Sequence, residues 1–224
     1  MNEAGAVVTS QRDRMIEAGL RLLESEGPAV LRARRIAAEV GASTMAVYTH
    51  FDGMPGLVHA IVAEAFHRFD RAMAAMPRTD DPVADLFLIG EAYHSYARAH
   101  PQRYRLMFGL APSTPPADLT PPDAGPAGKA AFGQLVEVVE RIGASGRIGA
   151  EDPNIVASRI WSLIHGAVLL ELAGYLDAEQ DVIDSIVQPA TADLLAGMGD
   201  HRDNLDASIA RARRLLAETA PTSE

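Results

Sequence analysis

Apolar residues recur at three- and four-residue intervals through most of the chain, and nowhere do they alternate over the length a half-buried strand requires. No internal repeat is present. A chain patterned this way is expected to fold as an all-α protein, helix packed on helix. Ser10 with Asp13 three residues on makes a capping-box pattern, opening a helix whose apolar stripe is Ile16, Gly19, Leu20 and Leu23. Gly27-Pro28 stops it. Ile36, Ala37 and Val40 mark a short second helix ending at Gly41, and Ser43 is placed to cap a third carrying Val47 and Phe51. Asp52-Gly53 breaks the chain again, before a long helix from about Pro55 to Met76.

Asp80-Asp81-Pro82 begins a helix to about Ala99, and Pro101 begins a short one with Tyr104, Met107 and Phe108. Six of the 14 prolines fall between Pro112 and Pro126, a loop that gates a site or is simply disordered. Helices are expected over 127–144, 153–176 and 179–198, the last kinked at Pro189, then an amphipathic stretch with Leu205, Ile209, Ala212 and Leu216. The expected division is into residues 1–54 and 55–224.

At 224 residues with 48% apolar side chains, the chain can bury a sizeable core. The absence of cysteine excludes disulfides, thiolate metal sites and a cysteine nucleophile. Met1 to Arg14 lacks the pattern of a secretory signal, and the most apolar segment, Trp161 to Leu176, is interrupted by His165 and Glu171. A soluble, cytoplasmic protein with no membrane partner is expected. The formal net charge of −10 argues against indiscriminate coating of nucleic acid. It is unevenly spread: residues 1–60 hold six Arg against seven Asp and Glu, a net of −1, which leaves −9 for the rest. Between 30 and 50, Arg32, Arg34 and Arg35 face only Glu39, and such a local basic patch can still meet phosphate.

Two short helices joined through Val40-Gly41-Ala42-Ser43 have the make-up of a helix-turn-helix. Arg34 and Arg35 on the first could hold backbone phosphates. Spacing alone equally allows an ordinary αα-hairpin with a solvated arginine pair. Residues 10–60 resemble the DNA-binding region of the tetracycline-repressor-like regulators of bacteria, through Ile36-Ala37-Ala38-Glu39-Val40-Gly41-Ala42-Ser43-Thr44-Met45-Ala46-Val47-Tyr48-Thr49-His50-Phe51. The Tyr-x-His-Phe ending is the most specific part. The resemblance implies an N-terminal three-helix DNA-binding domain and a larger helical domain for ligand binding and dimerisation. It also implies that Thr44, Met45 and Ala46 face base edges, and that Tyr48, Thr49 and His50 lie against the DNA backbone. Two positions depart from the family pattern: Arg32 stands where a capping Thr is usual, and Met54 where a Lys is usual. Trp161-Ser162-Leu163-Ile164-His165-Gly166 matches a Trp-x-x-x-His-Gly motif in effector domains of a subgroup of that family.

The helix expected over 153–176 is apolar on two sides, one with Trp161, His165, Val168, Leu172 and Tyr175, the other with Val156, Ile160, Leu163, Ala167 and Leu170. Such a helix is buried between its own core and a partner, here a second copy in a homodimer. Tyr93, Tyr96, Tyr104, Met107, Phe108 and Phe132 either line a mainly apolar cavity or form solid core. His165 is either a hydrogen-bonded core residue or, with Trp161, a ligand contact. The rival to a regulator is a di-metal carboxylate enzyme built on Glu64-x-x-His67 and Glu91-x-x-His94. Helical geometry opposes it: Glu64 lies about 130° and His67 about 170° from the apolar stripe of their helix. A dimeric adaptor that does not bind DNA is the other alternative. The expected function is therefore a ligand-responsive repressor, not an enzyme, with no cofactor and no metal. It would bind a palindromic operator in double-stranded DNA as a homodimer and be released by a small, largely apolar molecule.

Overall fold

The computed structural model describes residues 10–110, 125–176, 179 and 181–219. Among the described residues there are ten α-helices and no strand. They are α1 (Gln11–Glu26), α2 (Ala33–Glu39), α3 (Thr44–Phe51), α4 (Met54–Ala74), α5 (Pro82–Ala99), α6 (Pro101–Met107), α7 (Gly125–Ala144), α8 (Pro153–Leu172), α9 (Gln188–Gly197) and α10 (Arg202–Thr219). The proline-rich stretch expected as a loop over 112–126 lies outside the described residues, except for Gly125 and Pro126, which open α7.

Two compact units result, Met1–His67 with His100–Ala127, and Arg68–Ala99 with Gly128–Glu224. In the first, the Ser10 hydroxyl oxygen accepts from the Asp13 backbone N–H at 3.1 Å and its hydrogen goes to the Asp13 carboxylate at 2.8 Å, so α1 starts where the capping pattern predicts. Met15, Leu20 and Leu23 of α1 are fully buried with Ile36, Val47, Leu57 and Ile61. Gly19 permits the close crossing of α1 and α4, because a Cβ there would stand 2.4 Å from the Ile61 side chain. The unit also takes in α6, which packs on α1 and buries Tyr104 completely. At that contact the Arg103 backbone N–H donates to Glu24 at 3.4 Å, and burial pushes the Glu24 carboxyl above its usual pKa.

The second unit has a core of Val83, Leu86, Leu88, Val139, Ile142, Val156, Ile160, Leu195 and Leu205, contributed by α5, α7, α8, α9 and α10. Its buried charges are paired. Asp85 accepts from Arg141 at 2.6 Å and from the Thr79 hydroxyl at 2.8 Å, and Asp200 accepts from Arg147 at 2.7 Å. The single helix expected over 179–198 is replaced by a wider π-type turn, Ile183–Val187, followed by α9. Val182, Val187 and Gln188 all keep right-handed helical dihedrals, so the chain stays helical from Val182 to Gly197 and the irregularity at Pro189 takes the form of the π-type turn just before it.

By length and composition alone α8 could cross a membrane, although it carries Arg159, His165 and Glu171 and about a third of it is buried within the chain. Val156, Ala157, Ile160, Ile164, Ala167 and Val168 form its buried side. Beyond that side, Leu170 is 48% and Tyr175 80% exposed within the single chain.

Candidate nucleic-acid interface and effector site

The turn between α2 and α3 is made by Gly41 at φ 66, a conformation that a side chain with a Cβ resists, and the Ala42 N–H closes it onto the Ala37 carbonyl at 2.9 Å. Ser43 is the N-cap of α3 by position, but its side chain makes no capping hydrogen bond. Val47 and Phe51 anchor the inner side of α3 in the core. Arg12 of α1 lies over the Phe51 ring at 5.2 Å from its centroid. Asp52 at φ 57 ends α3 in the left-handed region, and α4 then starts so close to it that a Cβ on Gly56 would sit 1.8 Å from the Phe51 carbonyl oxygen.

The outer side of α3 is left to solvent. Met45 is 71% and Tyr48 58% exposed; Thr44, Thr49 and His50 are exposed as well, and Ala46 is half-buried. The Thr49 hydroxyl donates to the Met45 carbonyl at 3.1 Å, and a ring nitrogen of His50 is 3.0 Å from the Gln11 side-chain oxygen. The two arginines expected to meet phosphate differ. Arg34 is exposed and makes no ion pair among the described residues. Arg35 bridges two carboxylates, Glu26 at 2.9 Å and Glu39 at 2.8 Å, and Arg21 adds a contact to Glu39 at 3.3 Å. Arg35 therefore ties the end of α1 to α2.

The residues expected to contact ligand fall into two groups. Tyr104, Met107 and Phe108 belong to the first unit, where Tyr104 and Met107 are buried and Phe108 meets the Phe66 ring edge-on at 5.6 Å. Tyr93, Phe132, Trp161 and His165 belong to the second unit. There the Trp161 indole N–H donates to the Tyr93 hydroxyl oxygen at 3.3 Å, and Tyr93 is 3.0 Å from Nδ1 of His165. Indole can only donate, so the Tyr93 oxygen accepts from it. Burial lowers the His165 pKa, which favours the neutral ring. Phe132 meets Trp161 edge-on at 6.1 Å, and Phe69 meets Tyr93 at 4.8 Å.

Next to Tyr93 on α5, His94 is buried and its Nε2 lies 2.6 Å from Glu171 of α8, which also faces Arg98. This pairing, rather than one with Glu91, occupies His94; the Glu91 carboxylate accepts from Ser95. Glu64 is half-buried and His67 exposed on α4. Among the described residues no group of three His, Asp or Glu side chains is placed to hold a metal ion.

Two family models match this sequence. Residues 15–61 match bacterial regulatory proteins of the tetR family, and residues 86–194 match the tetracyclin repressor-like C-terminal domain. The chain belongs to the tetracycline-repressor family. It is 29% identical over 192 residues to an uncharacterised HTH-type transcriptional regulator of Mycobacterium tuberculosis, covering 84% of this chain and 81% of that protein. A protein of unknown function from Rhodococcus sp. RHA1 shares its fold with a TM-score of 0.70 and 26% identity, over 88% of this chain and all of the other. RolR in complex with resorcinol has a TM-score of 0.61 at 16% identity, over 95% of each chain.

This tetR-family protein is a DNA-binding transcriptional regulator. Within it Arg32 occupies the N-cap of α2 without a side-chain hydrogen bond, so that helix lacks the stabilisation of about 1 kcal/mol that a hydroxyl cap gives. The sequence reading missed Gln11 and Arg12, which support α3 from the start of α1. The capping pattern at Ser10 located the start of α1, but nothing local shows which helix that start touches. It also treated Arg34 and Arg35 as equivalent, although Glu39 is the i+4 neighbour of Arg35 and pairs with it.

Proposed function

We propose that the protein is a ligand-responsive repressor that binds a palindromic operator as a homodimer in the cytoplasm, is released by a small molecule, and has no enzymatic role. The observation that carries this reading is α3. It is anchored by Val47 and Phe51, turned outward with Met45 and Tyr48 exposed, and flanked by Arg34, which makes no ion pair among the described residues. Thr44, Met45 and Ala46 face base edges, while Tyr48, Thr49, His50 and Arg34 fix register against phosphate. Arg35 serves by holding α2 to α1. The exposed Ile155, Leu170 and Tyr175 along and just after α8 support the homodimer, since a second copy would cover them. Two recognition helices related by a two-fold axis read half-sites about 34–36 Å apart.

Tyr93, Phe132, Trp161 and His165 of the second unit are the proposed ligand-sensing residues, and Tyr104, Met107 and Phe108 are proposed as such within the first. The aromatic rings suit a largely apolar molecule, and the hydrogen-bonded group of Trp161, Tyr93 and His165 supplies polar recognition. RolR shows that a chain of this fold can hold a small phenol. Ligand and operator are coupled through α4, which begins at the end of α3 and reaches Ala74. A 100-fold release requires about 2.7 kcal/mol of coupling, with the ligand preferring the state that cannot bind DNA. The test is selection of bound fragments from sheared genomic DNA beside an Arg34→Ala/Tyr48→Phe control. Enrichment of a palindrome by wild type alone supports the reading, and no enrichment by either protein at low salt refutes it.

A further inference from the structure

The chemistry of the outer side of α3 says more than that it meets DNA, given the reading of α3 as the recognition helix. Val47 and Phe51 define its inner side, and at about 100° per residue Met45 and Thr49 project from the side opposite. From Thr44 to Phe51 there is no Arg, Lys, Asn, Gln, Asp or Glu. Those are the side chains that make bidentate hydrogen bonds to guanine or adenine, or accept from cytosine. His50 is engaged with Gln11, and the Thr49 hydrogen is held by the Met45 carbonyl. The more exposed of the two large apolar side chains on this face, Met45 at 71% against 58% for Tyr48, ends in a thioether and a methyl group. In the major groove the one apolar feature offered by the bases is the C5-methyl group of thymine.

We propose that Met45 reads a thymine methyl group, so that each half-site of the operator is specified at this position by an apolar contact instead of a hydrogen bond. Exchange of thymine for uracil deletes that methyl group and leaves every base-pairing group in place, so the contact can be removed from the DNA side without touching the protein.

The experiment starts from the operator recovered by selection with the wild-type protein. Each thymine of a half-site is replaced in turn by deoxyuridine, and wild type, Met45→Ala and Met45→Leu are titrated on every duplex. At one position the wild type is expected to lose about fourfold in affinity, the factor equivalent to about 0.8 kcal/mol per buried methyl-sized group. Met45→Leu keeps that sensitivity and Met45→Ala loses it. Insensitivity of wild type at every thymine overturns the proposal, as does an equal loss in Met45→Ala, or a selected half-site without thymine. An operator that is bound but insensitive leaves the regulator reading standing. A failure to select any operator overturns both.

Discussion

Gly56 is the position where one added carbon should cost most. A Cβ there would lie 1.8 Å from the Phe51 carbonyl oxygen, and since real contacts of this kind essentially never fall below 3.0 Å, α4 must retreat from the end of α3 by at least 1.2 Å. The obstacle is backbone, so no side-chain rotation relieves it, and Leu57 and Ile61, both fully buried, would be dragged along. Overpacking of this kind costs roughly 1–3 kcal/mol, and a rigid obstacle puts the loss at the upper end. Alanine is the better helix former by about 1 kcal/mol, which offsets part of it. A net loss of about 2 kcal/mol corresponds to a fall in Tm of about 4–8 °C for a chain of this length. Thermal unfolding of Gly56→Ala at fixed protein concentration checks this, with Gly19→Ala as the control. There the obstacle at 2.4 Å is the flexible end of Ile61, and the expected change is smaller. A Gly56→Ala protein that melts at or above the wild-type temperature would refute the argument that the α3–α4 junction admits only glycine.

Arg34→Ala should flatten the dependence of log K on log salt by about 0.9, whereas Arg35→Ala should leave the slope unchanged and only loosen α2 from α1; equal slopes for the two variants would show that both arginines meet phosphate, or neither. Glu24, its pKa raised by burial above 4.5, costs stability when ionised, a penalty complete above the raised value and absent below 4.5. Glu24→Gln should therefore melt higher than wild type near neutral pH, with the difference vanishing in acid, and a variant that melts lower at neutral pH would make the carboxylate's attraction to Arg103 the dominant effect. His165 has its pKa lowered from 6.5, so its protonation costs nothing above that value and removes stability as pH falls below 6.5 and through the lowered value. His165→Asn should narrow the difference in Tm between about pH 7.5 and about pH 5.5, and an unchanged difference would place the acid sensitivity elsewhere.

Features written into neighbouring residues were legible in the sequence. The hydroxyl of Ser10 and the turn at Gly41 depend on groups within five residues of each other, so pattern and outcome agree. What needed contacts distant along the chain was not legible. The packing of α6 on α1 joins Arg103 to Glu24, 79 residues earlier, and groups α6 with the DNA-binding helices in one compact unit, which no single cut along the chain expresses. Arg35 read as a phosphate ligand because Glu26 approaches it only once α1 and α2 have packed. Pro189 marked an irregular point in a helix, but the form it takes, a π-type turn over Ile183–Val187, is not visible in the residue pattern.

The charge distribution and the make-up of α3 impose one common demand on how this protein chooses its DNA. Arg21 and Arg35 are held by Glu39 and Glu26, so among the cations of α2 and the turn before it Arg32 and Arg34 are the ones left to meet phosphate. Two phosphate contacts per subunit correspond to a salt slope of only about −1.8 for each, and the surrounding negative charge, −10 for the whole chain, works against any duplex approached without specific fit. On the proposed assignment of contacts non-specific affinity is kept low, and sequence discrimination falls to the groups on α3 proposed to meet base edges. Those groups include no bidentate hydrogen-bonding side chain, which leaves shape and apolar contact to separate the operator from other DNA. A regulator built this way gains specificity from weak background binding more than from strong base contacts. Substituting Met45 with a lysine should then erode discrimination twice over, by removing the apolar contact and by raising affinity for every sequence alike. Titration of Met45→Lys against operator and scrambled duplexes at two salt concentrations measures this. The expected result is a smaller ratio of operator to scrambled affinity and a steeper salt dependence on both duplexes, and an unchanged ratio would show that discrimination resides away from α3.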